Sequence, residues 1–432
     1  MPRYRDLFRT PEFTPLFLTG AAHTAAQTVV GLGLATLVYR ATGSPLLSAL
    51  ALFGPSLAQL IGATTLLSAA DRLPPRAAIA GIALFFAVGT VVLAVPGLPT
   101  WAVFAVLLAE GLAASLGGGV RHGLLNEILA REDYLLGRSV TNMSVGVCQI
   151  AGFAAGGVLI AVFSPRGTVL VGAGLYLAAA LLARAGLGAR PPRAAGRASV
   201  GETWRTNRRL LSSPARRRTY LALWLPNGLI VGCESLFVPY APERAGLLFA
   251  CAALGMLAGD TVIGRFVPAR LRGRIRFPLQ ALLAAPFLVF ALDPAPPVAL
   301  LAVTVSAAGY GASLLHQERL MALVPEELSG HALGLHTSGM LALQGVSAAL
   351  AGTLAQYTSA RTGMVVLALA SLTVTFCLAR ADREADRGAE RGAERGADGE
   401  PADSPRRGSE PLSGGTSSGS RRSPRKDRRR TA

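Results

Sequence analysis

The apolar run LFLTGAAHTAAQTVVGLGLATLVY, at Leu16–Tyr39, decides the fold class. It holds 24 residues without a single Asp, Glu, Lys or Arg. A helix rises about 1.5 Å per residue, so about 20 apolar residues cross the ~30 Å hydrocarbon layer of a membrane. This run is therefore predicted to be a membrane-spanning helix, span 1.

Eleven further runs meet this test or fall slightly short of it, and they are numbered here as spans 2 to 12. They are Leu46–Ala70, Ala77–Val95, Thr100–Val120, Val140–Phe163, Gly167–Ala183, Tyr220–Tyr240, Ala245–Val267, Phe277–Leu292, Val298–Leu315, Leu335–Tyr357 and Gly363–Ala379. Span 9, Phe277–Leu292, is the shortest, and a buried or re-entrant segment is its alternative.

Composition agrees with these spans. The 432 residues are 51% hydrophobic and only 16% charged, with a mean hydropathy of +0.44. A soluble chain carries about 25% charged residues. The chain is therefore predicted to be an all-α polytopic membrane protein and not a soluble enzyme.

The positive charges indicate the orientation. Before the C-terminal tail, 24 basic residues fall on the side of the N-terminus and four on the other side. Positive residues concentrate in cytoplasmic loops, so both termini are predicted to be cytoplasmic in a multi-pass plasma-membrane protein. The net charge of +17 does not indicate nucleic acid, because the basic residues lie between apolar runs.

The chain contains one internal repeat. Gln149, Gly157, Leu159 and Arg166 match Gln344, Gly352, Leu354 and Arg361 at a constant offset of 195. The predicted organisation is a six-helix bundle at residues 1–183, a basic cytoplasmic linker at 184–218, a second six-helix bundle at 219–379 and a disordered charged tail at 380–432. Because six is even, the two bundles run parallel, a pseudo-symmetric arrangement that encloses a central pathway.

Three segments resemble those of the major facilitator superfamily, over about residues 7–380. Asp71, Arg72 and Arg76 match the charged positions of the family's signature after span 2. The segment Val120–Ile128 with Glu132, Asp133, Gly137 and Arg138 resembles the twelve-span drug:proton antiporter branch that includes siderophore-exporter-like members. The segment Gln149–Gly157 is similar to the antiporter motif of span 5, with Phe153 in place of its proline.

The resemblance implies that Asp71, Arg72 and Arg76 fasten the cytoplasmic helix ends, and Arg121 and Arg265 are grouped with them as cytoplasmic gate candidates. For Arg76 alone, simple positive-inside anchoring is favoured.

Three acids lie inside spans and are candidates for proton coupling: Glu110, Glu234 and Asp260. An intramembrane carboxylate usually faces a cavity or a partner. Glu110 is favoured because it lies near mid-depth, with a structural acid bonded to a neighbouring helix as the alternative. Asp260 is also a candidate for a gate salt bridge with Arg265 or another helix end.

The polar side chains within the spans are candidates for the substrate cavity. His23 and Gln27 are four residues apart and therefore share a helix face. The other candidates are Asn142, Gln149, Asn227 and Gln344. The alternative for each is a hydrogen bond across a helix contact.

The favoured function is secondary active, proton-coupled efflux of small amphipathic drugs or secondary metabolites by alternating access. The alternatives are import of a small metabolite, or a non-transporting receptor or scaffold with the same fold. The expected partners are a small-molecule substrate, protons and the lipid bilayer, with a monomeric chain. No metal or cofactor is expected, because the four cysteines lack paired spacing and no phosphate-binding loop is present.

Overall fold

The computed structural model describes residues 7–65, 73–129, 131–191, 200–325 and 328–398, and within these ranges the regular structure is helical. Spans 1 to 4 are the helices Phe13–Thr42, Pro45–Thr65, Pro75–Leu93 and Thr100–Ile128. Span 7 is Pro214–Glu234 followed by the short helix Phe237–Tyr240, span 8 is Ala245–Phe266, and span 11 is Ser329–Tyr357.

Spans 5 and 6 lie in one long helical element, Arg131–Gly186, which is divided at Ser164. Ser164 has φ 82° and ψ 162°, a conformation outside the helical region. Pro165 follows it and has no N–H to continue the helical hydrogen bonds. The described residues contain eleven helices apolar enough to cross a membrane, and because this element supplies two crossings they give twelve spans. The predicted all-α polytopic fold is confirmed.

Span 9 is longer than its apolar run. Its helix begins at Ala269, ends at Ala284 and continues as a 3₁₀ helix over Ala285–Leu292. The apolar run begins only at Phe277 because the preceding turns carry four arginines, Arg270, Arg272, Arg274 and Arg276. Long arginine side chains at a helix end can reach water while their stems cover apolar surface. Span 9 is therefore a full-length span.

Span 10 changes geometry partway. It consists of the helix Pro296–Ala308, one 3₁₀ turn at Gly309–Gly311 and the helix Ala312–Leu323. The predicted linker holds a further helix, Val200–Leu211. The helix of span 12 runs from Ala360 to Asp398, so residues 380–398 of the predicted tail are helical, and 399–432 lie outside the described residues.

The first and second six spans pack together at one end of the molecule. We name the end where span 1 begins the proximal end and the other the distal end. One core cluster at the distal end takes residues from both halves, including Leu32, Ala35 and Ile160 from the first half and Ile230, Leu248 and Ala351 from the second.

Candidate functional site

The distal contact between the halves depends on close backbone approach. In spans 5 and 8, a Cβ built on Gly246 would lie 2.6 Å from the Cα of Gly157, and the rings of Phe153 and Phe249 stack with centroids 4.7 Å apart. Just before span 2, the Ser44 hydroxyl donates to Gln356 Oε1 of span 11 at 2.8 Å. The two halves are closed against each other at this end.

The proximal ends of the halves have separate cores. One cluster contains only residues of the first half, among them Leu7, Phe13, Leu124 and Leu187. Another contains only residues of the second half, among them Leu210, Tyr220, Leu320 and Ala332. Among the described residues, no core cluster joins the halves at this end. The arrangement is that of a transport pathway closed distally, with its halves packed independently at the proximal end.

A polar pocket of about 190 Å³ lies within the first half. Spans 1 to 4 all contribute to it, and its lining residues are Thr19, His23, Thr24, Gln27, Gln59, Ile79, Ile82, Ala83, Ala114, Gly117, Gly118 and Arg121. Two predicted cavity residues, His23 and Gln27, meet here because they lie one turn apart on span 1. The exposed Gln27 marks the mouth of the pocket.

Arg121, predicted as a gate residue, lines this same pocket. A Cβ built on Gly20 would lie 3.9 Å from Arg121 Nη1, so the guanidinium runs along span 1. Its Nε atom is inaccessible and has no hydrogen-bond partner among the described residues. The pocket therefore holds a cation without an acidic lining residue.

His23 is held between two aromatic rings. Its ring centroid is 5.2 Å from that of Phe86 in span 3 and 5.1 Å from that of Tyr176 in span 6. Phe86 and Tyr176 also pack against each other, with ring centroids 5.1 Å apart. The pocket wall at His23 is therefore aromatic.

Glu110 itself is 5% exposed and faces span 3. A Cβ built on Gly89 would lie 2.5 Å from Glu110 Oε1. This oxygen has no hydrogen-bond partner among the described residues, and Glu110 does not line the pocket. A buried polar atom without a partner is costly, and among the acids in the described part of the chain only Glu110 has such an atom.

Glu234 is buried in the second half and has a partner. The Tyr310 hydroxyl of span 10 donates to Glu234 Oε1 at 3.2 Å. Asn227, one of the predicted cavity residues, lies in the unbroken helix of span 7, and its Nδ2 atom donates to Ser313 Oγ at 2.7 Å and to the Leu223 carbonyl at 2.9 Å. The bonds from Tyr310 to Glu234 and from Asn227 to Ser313 join span 7 to span 10.

The remaining predicted residues are dispersed. Asp260 is half-buried and Arg265 exposed, and in the described part of the chain neither makes an ion pair. Gln149 and Gln344 are half-buried in spans 5 and 11, and Arg76 is half-buried at the start of span 3. Asp71, Arg72 and the side chain of Asn142 lie outside the described residues.

Sequence reasoning missed a charge cluster at the proximal end of the second half. Asp382, at the end of span 12, pairs with Arg218 of span 7 and Arg276 of span 9, both at 3.3 Å, and with Arg319 of span 10. Its side chain is 9% exposed. Asp382 was counted in the tail because its neighbours in sequence are charged. A helical continuation of span 12 is the signal that would have identified it.

Twelve apolar spans in two halves, with a polar pocket in the first half, form the architecture of a membrane transporter. A family model described as Major Facilitator Superfamily matches residues 16–317, well over half of the chain. The chain belongs to this family and is a multi-pass secondary transporter rather than an enzyme.

Solved structures share the fold at low sequence identity. A mutant of the nucleoside transporter NupG has a TM-score of 0.69 at 13% identity, over 85% of this chain and 99% of that one. A POT family transporter in complex with a thioalcohol-conjugated peptide gives 0.67 at 13%, over 86% and 96%. A bacterial homolog of the human lysosomal transporter Spinster, inward-facing and unoccupied, gives 0.66 at 13%, over 85% and 96%. A comparison with curated protein sequences gave no match.

Proposed function

We propose that this transporter exports small amphipathic molecules, drugs or secondary metabolites, from the cytoplasm in exchange for protons. The observation that carries the proposal is the asymmetry of the core: one cluster joins the halves distally, and separate clusters serve them proximally. A chain that alternates between two such arrangements exposes a central site to one side at a time. The narrower assignment to the drug:proton antiporter branch belongs to this proposal.

The charge distribution indicates which side of the membrane the separated ends face. The side of the N-terminus is predicted to carry 24 basic residues before the tail, which is the pattern of a cytoplasmic face. In the arrangement described here, the separated ends of the halves therefore face the cytoplasm. A pocket on that side with both polar and apolar lining residues suits capture of an amphipathic molecule from the cytoplasm or the inner leaflet.

Glu110 is the proposed proton carrier. A charge buried without a partner is costly, so a bound proton offsets that cost, and release of the proton requires exposure to solvent. Span 3 connects this acid with the pocket wall, because Gly89 lies against Glu110 Oε1 and Phe86, three residues earlier, packs against His23. Loading of the pocket and protonation of Glu110 can therefore be coupled through span 3. Glu234, which accepts a hydrogen bond from Tyr310, is the second candidate.

The test is dye accumulation in inverted membrane vesicles with an acidic interior. We expect accumulation of amphipathic fluorescent dyes by the natural chain, and loss of it in Glu110→Gln to the level of vesicles without the protein. Glu243→Gln is the matched control, because Glu243 is exposed at the distal end. Accumulation independent of the pH gradient would contradict proton exchange. Transport only in right-side-out vesicles would indicate import, and no transport in either would favour a receptor or scaffold.

A further inference from the structure

Two buried hydrogen-bond donors of the first half lack partners, and both line the same pocket. Thr19 is 1% exposed, and its Oγ1 atom has no hydrogen-bond partner among the described residues. The Nε atom of Arg121 likewise has no hydrogen-bond partner among the described residues. Orphaned buried polar atoms are rare in folded proteins because each costs free energy. Two of them in the wall of one cavity therefore point to a ligand that accepts hydrogen bonds.

Among the described residues, Arg121 also has no ion-pair partner. None of the twelve lining residues is acidic. Span 4 itself carries two acids, of which Glu127 lies 3.8 Å from Arg190 and Glu110 lies eleven residues, or about 16 Å, up the helix. A guanidinium inside a bundle of spanning helices normally pairs with an acid or with backbone carbonyls.

In the second half, polar side chains of span 10 have hydrogen-bond partners. Span 10 takes the place in the second six spans that span 4 takes in the first. His316 Nε2 lies 3.2 Å from Gln280 Oε1, and Ser313 accepts the bond from Asn227. These two polar side chains of span 10 are thus paired within the protein, whereas Arg121 Nε of span 4 has no hydrogen-bond partner among the described residues and lines a cavity.

From these observations we propose that the pocket beside Arg121 binds a carboxylate group of the transported molecule. This inference rests on the proposed function and names its substrate class, amphipathic organic acids. The planar fork of arginine matches the two oxygens of a carboxylate, and the Thr19 hydroxyl supplies a further donor. Ligand pockets commonly enclose about 300–1,000 Å³, so a cavity of 190 Å³ takes the head of a molecule whose apolar part extends past Gln27.

The probes are benzoate and octanoate, each compared with its uncharged amide, benzamide or octanamide. Binding is measured on the purified full-length chain in detergent by equilibrium dialysis and by the shift in thermal unfolding. We expect both acids to bind and neither amide to do so. Arg121→Gln should weaken acid binding about 10- to 100-fold, the effect of losing a hydrogen bond to a charged group. Arg121→Lys should retain part of the affinity, because it keeps the charge but loses the fork.

Gly118→Val provides a variant that leaves Arg121 in place. A Cβ built on Gly118 meets no atom within 4 Å, so the added side chain enters the pocket without a backbone clash. It should abolish acid binding with normal folding. Gly174→Val is the matched control, because Gly174 is exposed in span 6 and its Cβ also meets nothing within 4 Å.

The proposal is overturned if acids and amides bind alike, if Arg121→Gln or Gly118→Val leaves acid binding unchanged, or if chloride or inorganic phosphate gives the same Arg121-dependent shift. Absence of acid binding to the natural chain overturns it as well. Because this assay involves neither transport nor a pH gradient, it separates the two proposals: acid binding that depends on Arg121, without pH-driven dye accumulation, removes only the export mechanism.

Discussion

Gly157 of span 5 and Gly246 of span 8 bring the backbones of the two halves into direct contact: a Cβ built on Gly246 would lie 2.6 Å from Gly157 Cα and 2.8 Å from the Phe153 carbonyl oxygen. Backbone atoms cannot move aside as a flexible side chain can. The distal closure of the molecule therefore requires glycine at position 246.

Replacing Gly246 by valine should force the halves apart at the distal end. Overpacking of a close contact costs about 1–3 kcal/mol, which we expect as a lower midpoint of thermal unfolding. A cysteine at Ser44 should then react faster with an impermeant maleimide than in the natural background. Gly174→Val, on an exposed face, should change neither quantity, and an unchanged Ser44 reactivity in Gly246→Val would contradict the closure.

Asp382 should stabilise the second half, because its carboxylate pairs with arginines of three different spans. Asp382→Asn leaves Arg218, Arg276 and Arg319 without their shared carboxylate. Removing one partner of a buried ion pair costs about 3–5 kcal/mol, so the unfolding midpoint of the purified chain should fall by several degrees.

The matched control is Asp293→Asn at the distal end, where Asp293 pairs with Arg361 at 2.9 Å but is 68% exposed. Surface pairs contribute about 0–1 kcal/mol, so this midpoint should barely move. Equal midpoints for Asp382→Asn and Asp293→Asn would show that the cluster does not hold the spans together.

The predicted orientation can be checked by cysteine labelling in intact cells. In a background without the four natural cysteines, Glu243→Cys at the distal end should react with an impermeant maleimide. Arg208→Cys and Arg274→Cys, exposed at the proximal end, should react only after the membrane is permeabilised. Labelling of positions 208 and 274 from opposite sides would contradict the span count itself.

Much of the fold follows from the sequence because a membrane imposes a simple requirement on length and polarity. The apolar runs locate all the crossings, and even the division at Ser164 falls between the predicted spans 5 and 6. The ends of spans 9 and 12 are not visible in hydropathy. The first turns of span 9 carry arginines, and span 12 continues past its apolar run to Asp382; these side chains reach partners or water beyond the apolar layer.

The site is harder to predict from sequence, because its residues come from different helices. His23 and Gln27 are identified by their spacing within one helix. That Arg121 joins them depends on how span 4 rotates against span 1, where the guanidinium lies beside Gly20. The sequence shows that Glu110 is an acid within a span, but not that it faces Gly89 instead of the pocket.

The most direct test of the central claim, alternation between a distally closed and a distally open form, is reversible cross-linking of Ser44→Cys with Gln356→Cys in the cysteine-free background. These side chains are hydrogen-bonded across the halves at 2.8 Å. A short thiol cross-linker that is cleaved by reduction should join them, stop dye transport and allow it to resume after reduction, while the two single variants remain active. Full transport by completely cross-linked protein would contradict the account.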